Sequence, residues 1–263
     1  MSEHFHASPS SAKQWTECTA SIPFIEKLRK EGKIPRHSVS SAYSLEGTEA
    51  HSWGEKVLRK QITLEQVPDQ FRGPVGIYVK ACEDLLRPNA YRGVELRVPL
   101  FYAPHGRGTI DWLVVNTDPL EIHVRDLKYG EGVLVKSEFN KQLAIYAWSA
   151  ILDLVESGLF DMFPLDTPVT IHAIQPRHRE WVDEPWVTTI GELKEFCENE
   201  IALYYQQIED GDVKFSPTHD ACFFCDAKRH CAARAEGLKV LPVDINPLET
   251  WEDLTKPDMT TLS

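Results

Sequence analysis

Asp111 interrupts an otherwise apolar run, Thr109-Ile110-Asp111-Trp112-Leu113-Val114-Val115, and so places a carboxylate where a strand would bury a hydrophobe. Fifteen residues on, Asp126 and Lys128 stand two apart and share one face of the next strand, with Leu127 on the other. Two carboxylates and an ammonium converging across neighbouring strands suit phosphodiester hydrolysis. The carboxylates chelate a hard divalent cation, which polarises the scissile phosphate and acidifies a bound water. The lysine holds that water or stabilises the developing negative charge. An isolated Asp-x-Lys is more often a self-satisfied ion pair, so its surroundings decide the reading.

Those surroundings supply more polar groups at helical spacing. Glu46-Gly47-Thr48 precedes His51, whose imidazole could join the same metal, although a lone helical histidine is more often packed or solvated. Gln142 and Tyr146, four apart on a later helix, share a face and could contact DNA or support the lysine. Glu95, on the strand before Asp111, is a further metal-ligand candidate. Cys222, Cys225 and Cys231 form C-x2-C-x5-C, and Cys18 lies far upstream in Trp15-Thr16-Glu17-Cys18. Such a cluster in a reducing compartment points to metal rather than disulfides. Four thiolates fit a [4Fe–4S] cluster, whereas Zn²⁺ could use the same four, or three with His219 or His230. Cys82 and Cys197 read as buried free thiols.

The elements that must position these groups follow from periodicity. Ser8-Pro9 opens a short helix over 12–19, helical spacing runs from Leu45 to Lys60, and a third helix spans Asp69 to Leu86 with its regular part starting at Pro74. Strands are expected at 94–101, 108–115 and 121–129 as an antiparallel meander, then an apolar helix at 139–155, a strand at 168–175 and a long helix at 190–208. That order defines an α/β fold with a mixed sheet flanked by helices.

The chain has 263 residues, enough for one large core, and no apolar run reaches membrane-span length. With no signal-peptide pattern over 1–14, a cytoplasmic location is expected. The net charge of −12 excludes binding of nucleic acid by bulk electrostatics but leaves room for local basic contacts. Arg29, Lys30, Lys33, Arg36, Lys136, Lys141, Arg177, His178 and Arg179 are the candidates.

The ordered set G-T-x-x-H at 47–51, G-x-x-D at 108–111, D-x-K at 126–128 and Q-x-x-x-Y at 142–146 resembles that of RecB-like PD-(D/E)XK exonucleases. The run from Asp126 through Ala147 further resembles a phage and prophage branch labelled only as a domain of unknown function. The resemblance implies a restriction-endonuclease-like core over about 40–210, within a single nuclease domain over 1–236. It implies Mg²⁺ or Mn²⁺ held by His51, Asp111, Asp126 and the Leu127 carbonyl, with Lys128 catalytic and Gln142 and Tyr146 lining the site. Asp126 stands where many relatives carry Glu. The cysteine arrangement resembles the iron–sulfur staple of the AddB and CRISPR-associated branches, joining 8–30 to 216–236, with an acidic tail over 237–263. The implied activity is DNA exonuclease action in phage recombination or end processing, with DNA as partner and a recombination protein or a second copy as further partners. The rival reading is a catalytically silent nuclease fold that binds DNA or assists assembly.

Overall fold

A computed structural model describes residues 7–36 and 42–239 of the chain. The acidic tail expected from Pro242, with Trp251, lies outside the described residues. Five strands form one mixed sheet in the order β1 (Tyr91–Leu100), β2 (Ala103–Thr117), β3 (Leu120–Leu127), β4 (Pro168–Ile174) and β5 (Trp186–Thr189). The first three make the expected antiparallel meander, β4 runs parallel to β3, and β5 returns antiparallel. β5 was not expected from the sequence.

Nine α-helices are described: α1 (Ala12–Glu17), α2 (Ser21–Lys30), α3 (Ala42–Leu58), α4 (Asp69–Glu83), α5 (Lys141–Glu156), α6 (Ile190–Phe196), α7 (Ala202–Glu209), α8 (His219–Phe223) and α9 (Ala232–Lys239). A parallel strand pair needs a crossover, and α5 supplies it between β3 and β4. The Asn140 side chain caps α5 by accepting from the Leu143 amide at 3.1 Å. Residues 143–151 of α5 are all buried and Leu152 is partly so, because the helix is covered by the sheet on one side and by α1, α6 and the turn at Cys197–Ile201 on the other. The opposite face of the sheet packs Trp112, Val114, Leu127 and Ile174 against Val57, Leu58, Phe71, Val75 and Tyr78 of α3 and α4. The result is a sheet with helices on both faces. Among the described residues, no helix is long and apolar enough to cross a membrane.

Three local readings change. α2 was missing from the sequence expectation; its Pro23 falls in the first turn, where a missing N–H costs nothing. α4 starts at Asp69 as expected but is regular from there, so Pro74 lies inside the helix instead of opening its regular part. The carbonyl four residues back, Gln70 O, loses its usual donor. It accepts instead from the Tyr129 hydroxyl at 3.2 Å. The long helix at 190–208 is continuous in course but carries a π-turn at Cys197–Ile201 between α6 and α7.

The N- and C-terminal described segments interlock beside this core. Ile25, Leu28 and Ile34 bury with Cys225 and Ala227. Arg29 reaches Asp226 at 2.6 Å, Lys13 reaches Asp220 at 2.6 Å, and Thr218 donates to Glu17 at 2.7 Å.

Candidate metal and lysine site

The meander is irregular at one place. Val94 pairs with Trp112 and Leu96 with Ile110, yet Val94 and Trp112 pack under α3 and α4 while Leu96 and Ile110 pack toward α5. The pleat changes face between them, and Glu95 there has φ of 48°, a left-handed conformation that costs a residue with a side chain about 1–3 kcal/mol. Beside it stands Asp111.

His51, on the middle of α3, brings Nδ1 to 3.0 Å from Asp111 Oδ2. The same oxygen accepts from the Leu127 amide at 2.8 Å, which ties β2 to the end of β3. Ligand atoms of His51, Glu95 and Asp111 all lie within 4.8 Å of one another. This is a nitrogen and oxygen donor set that suits a divalent cation. The electrostatics agree. Burial pushes the Glu95 carboxyl up to about 7, with Asp111 adding to it. Burial pulls His51 down, but the charge of Asp111 and its bond carry the imidazole up to about 9. Both shifts express excess negative charge in a poorly hydrated pocket.

Asp126 and Lys128 form the adjoining half. The Lys128 ammonium lies 2.8 Å from Asp126 Oδ2 and donates to Gln142 Oε1 at 2.9 Å. Asp126 is 3% exposed, and burial raises its pKa against the pull of Lys128. The Lys128 amide donates to Ile174 O at 2.8 Å, so β4 fixes the backbone just past β3. Asp126 thus sits with the lysine, while Glu95 is the third donor beside His51 and Asp111. Tyr146 lies one turn beyond Gln142, and burial raises its phenol well above the ordinary range. Gly47 meets nothing that explains it, and the Thr48 hydroxyl bonds back to Ser44 O at 2.9 Å rather than reaching the site.

Gln175, which the sequence did not single out, and Arg177, expected as a basic contact, hold the loop after Lys128. The buried Gln175 side chain donates to Gly130 O at 2.7 Å and Val133 O at 2.8 Å, and accepts from the Val135 amide at 2.8 Å. Arg177 stacks over the Tyr129 ring at 4.3 Å, donates to Glu46 at 3.1 Å and pairs with Glu131. These pairings cross between distant segments, so no local spacing could have shown them. Several other basic candidates are also engaged: Arg29 with Asp226, Lys33 with Glu31, Lys141 with Thr16, and Arg179 with Glu180.

Cys18, Cys222, Cys225 and Cys231 line one cavity with Phe24, Phe215 and Lys228. Neither His219 nor His230 lines it. Cys18 caps the end of α1, and its sulfur accepts from the Ser216 amide at 3.5 Å. Cys82 and Cys197 are fully buried elsewhere, as expected of free thiols.

Fold and site together define an α/β protein with a histidine–carboxylate cluster and a half-buried lysine at the end of β3 in a mixed sheet. The chain matches the family described as "Protein of unknown function (DUF2800)" over residues 4–74 and 79–261, and it belongs to that family.

Proposed function

We propose that this chain is a metal-dependent DNA nuclease with a restriction-endonuclease-like core of the RecB-like PD-(D/E)XK kind, acting as an exonuclease. The observation that carries the reading is the junction of two half-sites at the end of β3. There, His51, Glu95 and Asp111 cluster within 4.8 Å, beside Lys128 held by Asp126 and Gln142. A self-satisfied Asp–Lys pair would need neither the histidine nor the strained Glu95.

His51, Glu95 and Asp111 would hold Mg²⁺ or Mn²⁺, with Asp126 and the Leu127 carbonyl next to them. A cation there supplies Lewis acidity toward a phosphate oxygen and acidifies water. Lys128 places a positive charge where the phosphate gains negative charge. Gln142 and Asp126 fix the ammonium so that little reorganisation is left for the reaction. Burial of Asp126 keeps water from screening this charge.

The four cysteines would hold a [4Fe–4S] cluster as a structural staple. The same four thiolates, which line one cavity, would also suit tetrahedral zinc.

The test is degradation of linear, circular and single-stranded DNA with Mg²⁺ or Mn²⁺ and with EDTA. Metal-dependent loss of linear DNA that disappears in Asp111→Asn supports the reading. An inert, folded, metal-loaded protein sinks it.

A further inference from the structure

We propose that the open face of the β1–β2 hairpin is a track for a nucleic-acid backbone, with Arg97 and Arg107 gripping phosphates on the approach to Asp111. The inference rests on nucleic acid being the substrate.

β2 pairs with β3 only from Trp112 onward, so its stretch from Ala103 to Ile110 is bonded to β1 alone. One face of this two-stranded arm is apolar and covered. Val98, Leu100 and Ile110 bury in the α5-side core, and the Tyr146 ring sits on Gly108. The other face is open: Arg97, Arg107 and Thr109 are exposed, with Arg97 directly across from Thr109 and Arg107 across from Pro99. Arg107, Thr109 and Asp111 alternate along one strand, so the row runs into the carboxylate cluster. At about 3.4 Å per residue, Thr109 and Arg97 lie about 7 Å from Asp111, and Arg107 about 14 Å.

Charge accounting narrows the choice: Arg92, Arg97 and Arg107 are exposed strand arginines with no ion pair among the described residues, and of these Arg97 and Arg107 lie on the arm beside Asp111. Arg29, Arg59, Arg72, Arg87 and Arg177 each hold a carboxylate. Arg97 makes no ion pair among the described residues, and Arg107 donates to the carbonyl of its own neighbour, Gly106, at 2.9 Å. In a chain of net charge −12, two like charges are left as diagonal neighbours on adjacent strands, an arrangement that does nothing for the fold. A phosphate between them reverses that repulsion, and each guanidinium fork matches phosphate oxygens. β1 is also an edge strand, where a charge can serve simply to block pairing with another chain. That role would need no DNA.

The experiment compares wild type, Arg97→Gln/Arg107→Gln and the remote control Lys194→Gln by fluorescence anisotropy. Labelled duplex and single-stranded DNA are titrated in Ca²⁺ at several salt concentrations, with cleavage followed separately in Mg²⁺. Thermal melting and Mn²⁺ binding establish that the variants fold with an intact site. The double variant is expected to bind about tenfold more weakly, with the log–log salt slope reduced by about 2, while the control is unchanged. Wild-type protein that cleaves DNA, with the double variant matching it in affinity and slope, overturns the track and leaves the nuclease. DNA binding that depends on both arginines without any cleavage keeps the track and overturns the nuclease. Wild-type protein that binds no DNA overturns both.

Discussion

The Tyr146 ring lies so close over Gly108 that a β-carbon on the glycine would stand 2.7 Å from Cε1. The glycine of G-x-x-D and the tyrosine of Q-x-x-x-Y are therefore one packing unit, joining β2 to α5. Gly108→Ala should lower stability by about 1–3 kcal/mol, as overpacking does. Removing the ring as well, in Gly108→Ala/Tyr146→Ala, should cost less than the two single changes added together. Denaturant unfolding of the four proteins measures the coupling, and strict additivity would disprove the contact.

Lys128 is held from two sides, and Gln142→Leu removes one of them without touching the metal ligands. Nuclease turnover should fall about tenfold to a hundredfold with little change in Mn²⁺ affinity. Lys128→Met should fall further, by about a hundredfold to a thousandfold. Equal effects of both changes on metal binding would show that the lysine side of the site acts through the cation pocket.

The sulfur site yields a contrast within one residue type. Cys18→Ser, Cys222→Ser, Cys225→Ser or Cys231→Ser should each lower iron content and melting temperature together, because metal binding there is folding free energy. Cys82→Ser and Cys197→Ser should leave the iron content unchanged. Iron analysis and a visible spectrum after anaerobic purification decide it, and one stoichiometric zinc in place of iron would replace the cluster while keeping the staple.

His172 gives a pH prediction away from the metal site. The side chain is 3% exposed, between Trp181 and Asp183, and burial, reinforced by Arg125, pushes its pKa down to about 4. The unfolded chain binds that proton near pH 6.5, so stability is full above this value and falls as pH drops toward about 4. The loss amounts to at most about 3 kcal/mol. Equilibrium unfolding across this window should show a slope that His172→Leu flattens; an unchanged slope would exclude His172 as its source.

What could be read from the sequence was local. β-rich apolar runs separated by turn-prone residues located the meander, and the fixed period of a strand put Asp126 and Lys128 on one face. Helical spacing likewise paired Gln142 with Tyr146. Glu95 was visible as a carboxylate, but its place beside Asp111 depends on a change of face that no periodicity announces. Gln175 reaches back some forty residues to backbone atoms, which any sequence can offer, so it carried no signal. β5 has four residues, too few for alternation to separate it from a loop. Arg97 and Arg107 were not among the basic candidates, because their place on the open face beside Asp111 depends on the pairing of β1 with β2.

The segments 12–30 and 214–231 are joined by Lys13–Asp220, Glu17–Thr218 and Arg29–Asp226 across almost the full span of the described chain. A translocating protease that pulls on either segment therefore meets these side-chain bonds together with the packing of Trp15 on the sheet-side core. Cutting the three pairings should change the order in which the protein is dismantled while leaving the sheet's own cohesion as it was.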